Sequence, residues 1–457
     1  MPSLSRRHLL KTGLAGGLAL ATPHVARAQT TLKVVWMGWP DNQVLPLMAE
    51  FEKRNPSIKL AVERMPFTQI FQALEVRLNG RTPDPDIYIV DSPLTASYAA
   101  RGHLMELDAL IDTSRFAPAG IGAASYQGKI YSAPFGSSMQ VLYVNRSLFG
   151  AAGVEPPSAD VAKRWTWEQV AEAGRKIAKP AENLWGFTFE QQERPYQLLP
   201  LGQSLGGVAL SPDGLKASGF IDGPAFVEGF GFMQKLYTEA KISPPGQFDT
   251  ALTPELFGSG KCAMLLGGTF IYDTLKSKFP SLDFGVAPHP YFAKGKPVTP
   301  TGAWHFGVNP RSAQKEAVAQ FVRDMLSYDM NVLWFKLRPY PPTLNAVWQK
   351  ESATFSTDMW KIARSEMQNT ALARGLASAN TRTFCASRCG ICSPVATSRT
   401  SSPPQRRKSI ARSQSTRVER CAPGRHVDGA ATHSLIIACE PNAGYPTPSL
   451  LQRFSAC

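Results

Sequence analysis

Cysteine is almost missing from most of this chain: of seven, only Cys262 comes before residue 385. A body without cysteine pairs has no disulfide framework and must rely on its core. Cys262, within "KCAMLLGG", is expected to be a small core residue. Histidine is also scarce, with His103, His289 and His305 as separated singles between residues 29 and 375. No H-E-x-x-H or G-x-G-x-x-G occurs. "FGSGKC" lacks the upstream glycine of a phosphate loop and carries Cys262 in place of its Ser/Thr. These absences argue against catalysis, so no enzyme, no cofactor and no metal are expected.

Charge of one sign is lacking as well, once it is located. The formal net charge is +14, from 49 Lys+Arg and 35 Asp+Glu. Residues 1–28 hold four of these bases and no acid, and residues 376–457 hold 11 bases and three acids. That leaves 34 bases and 32 acids for residues 29–375. A nearly neutral body offers no electrostatic case for nucleic acid.

Long apolar runs are absent too. The longest candidate, Leu9 to Ala21, spans 13 residues interrupted by Lys11 and glycines, against ~20 for a spanning helix. With Arg6-Arg7 before it and Ala26-Arg27-Ala28 after it, residues 1–28 read as a twin-arginine-type signal peptide cleaved near Ala28. The mature chain is expected in the periplasm.

The body alternates short apolar strands with amphipathic helices. Strands are expected at 31–37, 58–65, 86–90, 140–145, 262–268 and 303–309. Helices are expected at 42–56, 67–80, 166–178, 223–240 and 313–326. Strand–helix–strand order implies a parallel α/β sheet, and the length implies two domains.

Several ordered blocks carry a family resemblance: "AEFEKRNPSIKLAVE", "DPDIYIVDSPLTASYAARGHLMELD", "YQGKIYSAPFGSSMQVLYVNRSLFGAAGVEPPS" and "TPELFGSGKCAMLLGGTFIYDTL". Over residues 31–374 the chain resembles the sugar-binding class of extracellular solute-binding proteins of ABC importers, which includes maltose-binding protein. The resemblance implies an α/β, two-lobed periplasmic binding protein fold with an interlobe ligand cleft and a hinge. Lobe one would take 29–138 plus 289–338, and lobe two 139–288 plus 339–375. Implied partners are a small-molecule carbohydrate ligand and the membrane subunits of an ABC permease, with the binding protein itself a monomer. A binding protein for a glycerol phosphodiester and a carbohydrate-active enzyme are the alternatives.

A sugar site needs aromatic planes and polar groups at fixed positions. Trp39 and Asp41 follow the first strand, at the end where α/β sheets place ligands. Asp91 follows the third strand, and its family counterpart contacts ligand. Ser138 falls where maltose-binding protein has a glutamate, with Gln140 the nearest alternative. "ERPYQLLP" resembles a segment supplying an acid and a tyrosine, here Glu193 (or Glu190) and Tyr196. Phe270 falls at the family's stacking tryptophan. Trp304, Arg338 and Tyr340 lie near the later crossovers between lobes. A single positive charge there, Arg338, disfavours a strongly anionic ligand.

From about Gly375 the composition changes. Phe384, Tyr445 and Phe454 are the only aromatics of residues 376–457, and six cysteines appear. Cys385, Cys389 and Cys392 have no second close pair downstream, so a zinc site is not expected. The stretch reads as a frameshifted, disordered tail replacing the family's final helix.

Overall fold

A computed structural model describes residues 29–190, 195–211, 216–245, 252–302, 304–369 and 371–372. The expected signal peptide, Glu193 and the 376–457 tail lie outside the described residues. No helix among those described is long and apolar enough to cross a membrane.

The first sheet is built as the strand–helix alternation requires. Strand β1 (Thr30–Met37) ends in the fully buried run Val34–Met37 and leads into helix α1 (Asp41–Arg54). Helix α1 turns Val44, Leu47, Met48 and Phe51 inward, at the three- and four-residue spacing of one helical face. Strand β2 (Ile58–Met65) alternates buried and open positions, helix α2 (Phe67–Asn79) follows, and β3 (Ile87–Asp91) is buried throughout. Both β2 and β3 run parallel to β1, and the late strand Trp304–Val308 closes the sheet antiparallel to β3.

The second sheet centres on the long strand Ser138–Asn145, in which every residue is buried. Met264–Gly268 and Phe284–Ala287 flank it antiparallel, and Thr188–Phe189 lies parallel to Met264–Gly268. Its outer helices are Trp167–Ile177 and Pro224–Thr238. The first of these has a reciprocal cap, although its acidic neighbour is not the partner. The Gln169 N–H donates to Thr166 Oγ1 and the Thr166 N–H to Gln169 Oε1, while Glu168 accepts from the Ala293 N–H. Around this sheet Trp167, Phe187, Phe189, Phe226 and Phe230 fill a core of their own.

The expected strands and helices fall within a few residues of those observed. Of the stretch 339–375, assigned above to lobe two, the helix Asn345–Lys350 packs on Tyr328–Leu337. It adds Val347 and Trp348 to a core cluster that holds residues of β1 and β3 and also Val141, Leu265 and Val286 of the second sheet. The last described helix, Asp358–Asn369, touches Pro118–Ala124 and also the strands Ser138–Asn145 and Phe284–Ala287. Its Glu366, 1% exposed, forms an ion pair with Arg164, 7% exposed, and accepts from Thr299 Oγ1. Arg164 also donates to the His289 carbonyl at 2.7 Å.

Cys262 is fully buried, with its thiol against the Met264 carbonyl, and burial pushes it up to about 12. Below that pH the folded thiol stays protonated. Iodoacetamide at pH 8 should therefore leave the Cys262 peptide unmodified until denaturant is added, as read by peptide mass spectrometry; rapid native labelling would refute this burial. Replacing Glu366 by Ala strands the Arg164 charge and should cost about 3–5 kcal/mol. An Arg164→Met/Glu366→Met pair should recover most of that loss in denaturant melts.

Candidate functional site

Three segments of backbone pass between the two sheets, and they run side by side. In the first, Ala133 exchanges backbone hydrogen bonds with Phe306 on the first sheet's edge strand. Five residues later Ser138 pairs with Gly302, already in the second sheet. The second passage is the return from Gly302 to Trp304. The third, residues 338–343, is held by the Ser137 N–H on the Pro341 carbonyl (2.9 Å), the Ala117 N–H on the Thr343 carbonyl (2.8 Å) and Thr343 Oγ1 on the Pro134 carbonyl (2.5 Å). Every sequence-proposed residue that the structure describes, except Asp41, lies on or beside these passages.

The first group is aromatic. Trp39, just past the end of β1, meets Trp304 edge-on at 6.2 Å between ring centroids, and Tyr340 at 6.3 Å. It lies 5.3 Å from Trp334. Trp304 is stacked on Phe71 at 5.9 Å and stands opposite buried Asp91 in the sheet register. Arg338 lies across this group. Its guanidinium carbon is 4.4 Å from the Trp39 ring and 4.7 Å from the Tyr340 ring, as cation–π attraction favours. Its Nη1 donates to Gln43 Oε1 at 2.6 Å and its Nη2 to the Tyr340 hydroxyl at 2.7 Å.

The second group is polar and sits at the strand ends of the second sheet. Gln140 stands opposite Gly268 in register. The Gly268 N–H donates to buried Glu190 at 2.8 Å, and Gln197 Nε2 lies 3.4 Å from both that carboxylate and the Tyr196 hydroxyl. Ser138 Oγ donates to the Gly302 carbonyl at 2.8 Å. The side-chain oxygens Gln140 Oε1, Gln197 Oε1 and Thr269 Oγ1 are buried with no hydrogen-bond partner among the described residues. Unmet buried acceptors carry a desolvation cost, so three of them near one glycine single out this place.

Two glycines let the groups approach. A Cβ on Gly268 would come within 2.1 Å of the Phe270 ring, and one on Gly302 within 2.9 Å of Tyr196. Phe270 in turn reaches Tyr340, 6.5 Å away, linking the two groups.

Asp41 stands apart. Its side chain is 70% exposed and paired with Arg64, at the first turn of α1. There an acid favours the positive helix end, which accounts for its position without a ligand. Of the two acids left open in "ERPYQ" and just before it, Glu190 is the one the structure describes at the site. Sequence reasoning missed Gln43, Phe71, Trp334, Gln197 and Thr269. Gln43 and Gln197 had a usable signal, because each adjoins or lies one helical turn from a residue already chosen. Trp334 had none, since it reads as helix interior.

Nothing here titrates near neutrality through its histidines. Burial pushes both His289 and His305 down to about 3, and His305 Nδ1 is engaged by Ser132 Oγ at 2.9 Å. Among the described residues no group of three His, Cys, Asp or Glu is arranged to hold a metal ion. A cavity of about 590 Å³ exists elsewhere, between residues 205–208, 219–228 and Lys294. It contains none of the residues above.

The family model described as bacterial extracellular solute-binding protein matches residues 42–331. The chain belongs to this family. A Brucella abortus binding protein is 26% identical over 261 residues, covering 55% of this chain and 59% of that protein; the chain thus spans under two thirds of such relatives. UgpB of Brucella suis, the sn-glycerol-3-phosphate-binding periplasmic protein, is 26% identical over 376 residues, 75% of this chain and 82% of UgpB. Among solved structures, the ABC substrate-binding protein Lmo0181 from Listeria monocytogenes in complex with cycloalternan has a TM-score of 0.66 at 23% identity. It covers 80% of this chain and 95% of its own. A Thermotoga lettingae solute-binding protein bound with α-D-tagatose has a TM-score of 0.67 at 21% identity, covering 79% and 95%. These likenesses establish the two-lobed periplasmic binding protein fold, and the family to which the chain belongs is one of solute-binding proteins, not of enzymes.

The contact between Gly268 and Phe270 is testable without a ligand. Gly268→Ala should displace the Phe270 ring and cost about 1–3 kcal/mol. Adding Phe270→Ala to it should relieve most of the clash, giving a favourable coupling in a double-mutant cycle of melts. Strict additivity would mean the ring does not press on Gly268.

Proposed function

We propose that this chain is the periplasmic substrate-binding component of an ABC transporter that imports a carbohydrate or related polyol. Ligand enters between the lobes, hinge bending closes them on it, and the closed form delivers it to the permease. The observation that carries this reading is the pairing of aromatic faces with polar side chains around the three passages. Trp39, Trp304, Phe270 and Tyr196 are half-buried, so each keeps some open surface in a place otherwise packed. A sugar or polyol presents apolar C–H faces to such rings. Its hydroxyls can donate to the unmet oxygens of Gln140, Gln197 and Thr269. Asp91, Ser138 and Glu190 supply further fixed polar groups, and Arg338 with Tyr340 bounds the aromatic side.

The names of the relatives agree on one feature. Cycloalternan, tagatose and sn-glycerol-3-phosphate all carry several hydroxyl groups. Their shared chemistry supports a polyhydroxylated ligand and leaves its size open. UgpB and its like are periplasmic by name, which supports export.

A thermal-shift screen over monosaccharides, disaccharides, oligosaccharides and polyols tests the reading. A true ligand at 100 times its Kd should stabilise the fold by about 2.7 kcal/mol and alter the emission of Trp39, Trp304 and Trp334 on closure. A chain that melts cooperatively yet shifts with no member of the panel would overturn the carbohydrate assignment.

A further inference from the structure

The partly shielded arginines among the described residues are Arg64, Arg77, Arg101, Arg164 and Arg338. Four of them pair with acids: Arg64 with Asp41, Arg77 with Glu63, Arg101 with Glu75, and Arg164 with Glu366. Arg338 differs. No carboxylate lies within 4 Å of it among the described residues, and its two side-chain partners, Gln43 Oε1 and the Tyr340 hydroxyl, are both neutral acceptors. Its Nε–H is buried and meets no acceptor among the described residues. A guanidinium has five N–H donors, so two bonds leave three of them open.

The placement makes this omission expensive. The cation lies between the Trp39 and Tyr340 rings, where its access to water is reduced and an uncompensated charge costs free energy. The aromatic faces offset part of that cost but accept no hydrogen bond in the guanidinium plane. A planar fork with free donors matches the two oxygens of a carboxylate or phosphate.

Resting on the reading above that the passages hold a polyhydroxylated ligand, we propose that Arg338 selects a ligand bearing one oxyanionic group, a sugar acid or a sugar or polyol phosphate. Arg338 takes the oxyanion, and the hydroxyls face the oxygens of Gln140, Gln197 and Thr269. One cation without a counter-ion among the described residues suits one anionic group. The lone positive charge that disfavours a heavily charged ligand thus favours a singly substituted one.

The test is calorimetric titration of the full chain with matched pairs: gluconate against sorbitol, glucuronate against glucose, sn-glycerol 3-phosphate against glycerol, and glucose 6-phosphate against glucose. In at least one pair the charged member should bind about 10- to 100-fold more tightly, and more weakly as salt is raised. A carboxylate winner identifies a sugar acid and a phosphate winner a phosphorylated polyol. Arg338→Gln should remove the preference, bringing the affinity for the charged member down to that for its neutral partner. Arg338→Lys, which keeps the charge and loses the fork, should retain part of it; it carries the test if the Gln variant fails to melt cooperatively. Neutral sugars or polyols binding as well as their charged partners, unaffected by either substitution, would overturn the role of Arg338 and leave the carbohydrate-binding function standing. No binding by any charged or neutral member would overturn both.

Discussion

The backbone ladder that joins the three interlobe passages sets the terms for everything else. Ala133 with Phe306, Ser138 with Gly302, and Ser137 with Pro341 are pairs of main-chain contacts between segments far apart in sequence. They hold the passages in one layer, so residues near 39, 138, 196, 270, 304 and 340 converge although no two of these segments are neighbours in the chain. Backbone hydrogen bonds are indifferent to side-chain identity. The frame can therefore keep its geometry while the side chains it presents vary, which is how one fold comes to hold many ligands. The exceptions are Gly268 and Gly302, where the frame runs against an aromatic ring and admits no Cβ.

The two sides of this frame are built from different materials. Toward the first sheet the surroundings are rings in edge-on and tilted contact, Trp36, Trp39, Trp304, Trp334 and Tyr340. Toward the second they are an acid, two amides and hydroxyls gathered at strand ends. Rings placed edge to face gain from quadrupole attraction and lose little entropy on packing, because an aromatic side chain has two torsions. Long amides lose more, and Gln140 and Gln197 also leave oxygens unmet. The ring–ring contacts of the first side are thus complete without a ligand, while the polar groups of the second, like Arg338 on the first, have incomplete hydrogen bonds.

Much of the fold was legible in the sequence because its elements announce themselves locally. Apolar runs bounded by Pro, Gly and Asn mark β1 to β3, and the i, i+3, i+4 spacing of Val44, Leu47, Met48 and Phe51 marks α1. Family blocks then supplied the order of the passages. The site was legible where a residue sits at a strand end, as Trp39 and Asp91 do, or inside a resembling block, as Tyr196 and Phe270 do. Legibility failed in two physical situations. Asp41 follows the first strand as proposed, but it lies at a helix end and pairs with Arg64, away from the passages where the other proposed residues gather. Trp334 and Thr269 matter only through tertiary contact, and nothing local distinguishes them from core or strand-end residues.

The last described helix raises the question of what holds the lobes in register near their passages. Asp358–Asn369 touches Pro118–Ala124 beside the first core and two strands of the second sheet, so it spans both. Its Glu366 binds Arg164, which precedes a second-sheet helix, and Thr299, two residues before the passage residue Thr301. A buried carboxylate shared between a guanidinium and a hydroxyl favours one arrangement strongly, since any displacement leaves charge unpaired in a poorly solvated place. Apolar packing at the same point would tolerate sliding by fractions of an ångström at little cost. The polar contact therefore fixes Thr299, and through it the strand segment Val298–Thr299, against the second lobe. The backbone beyond that anchor leads to Thr301 and Gly302, where the chain passes the Tyr196 ring.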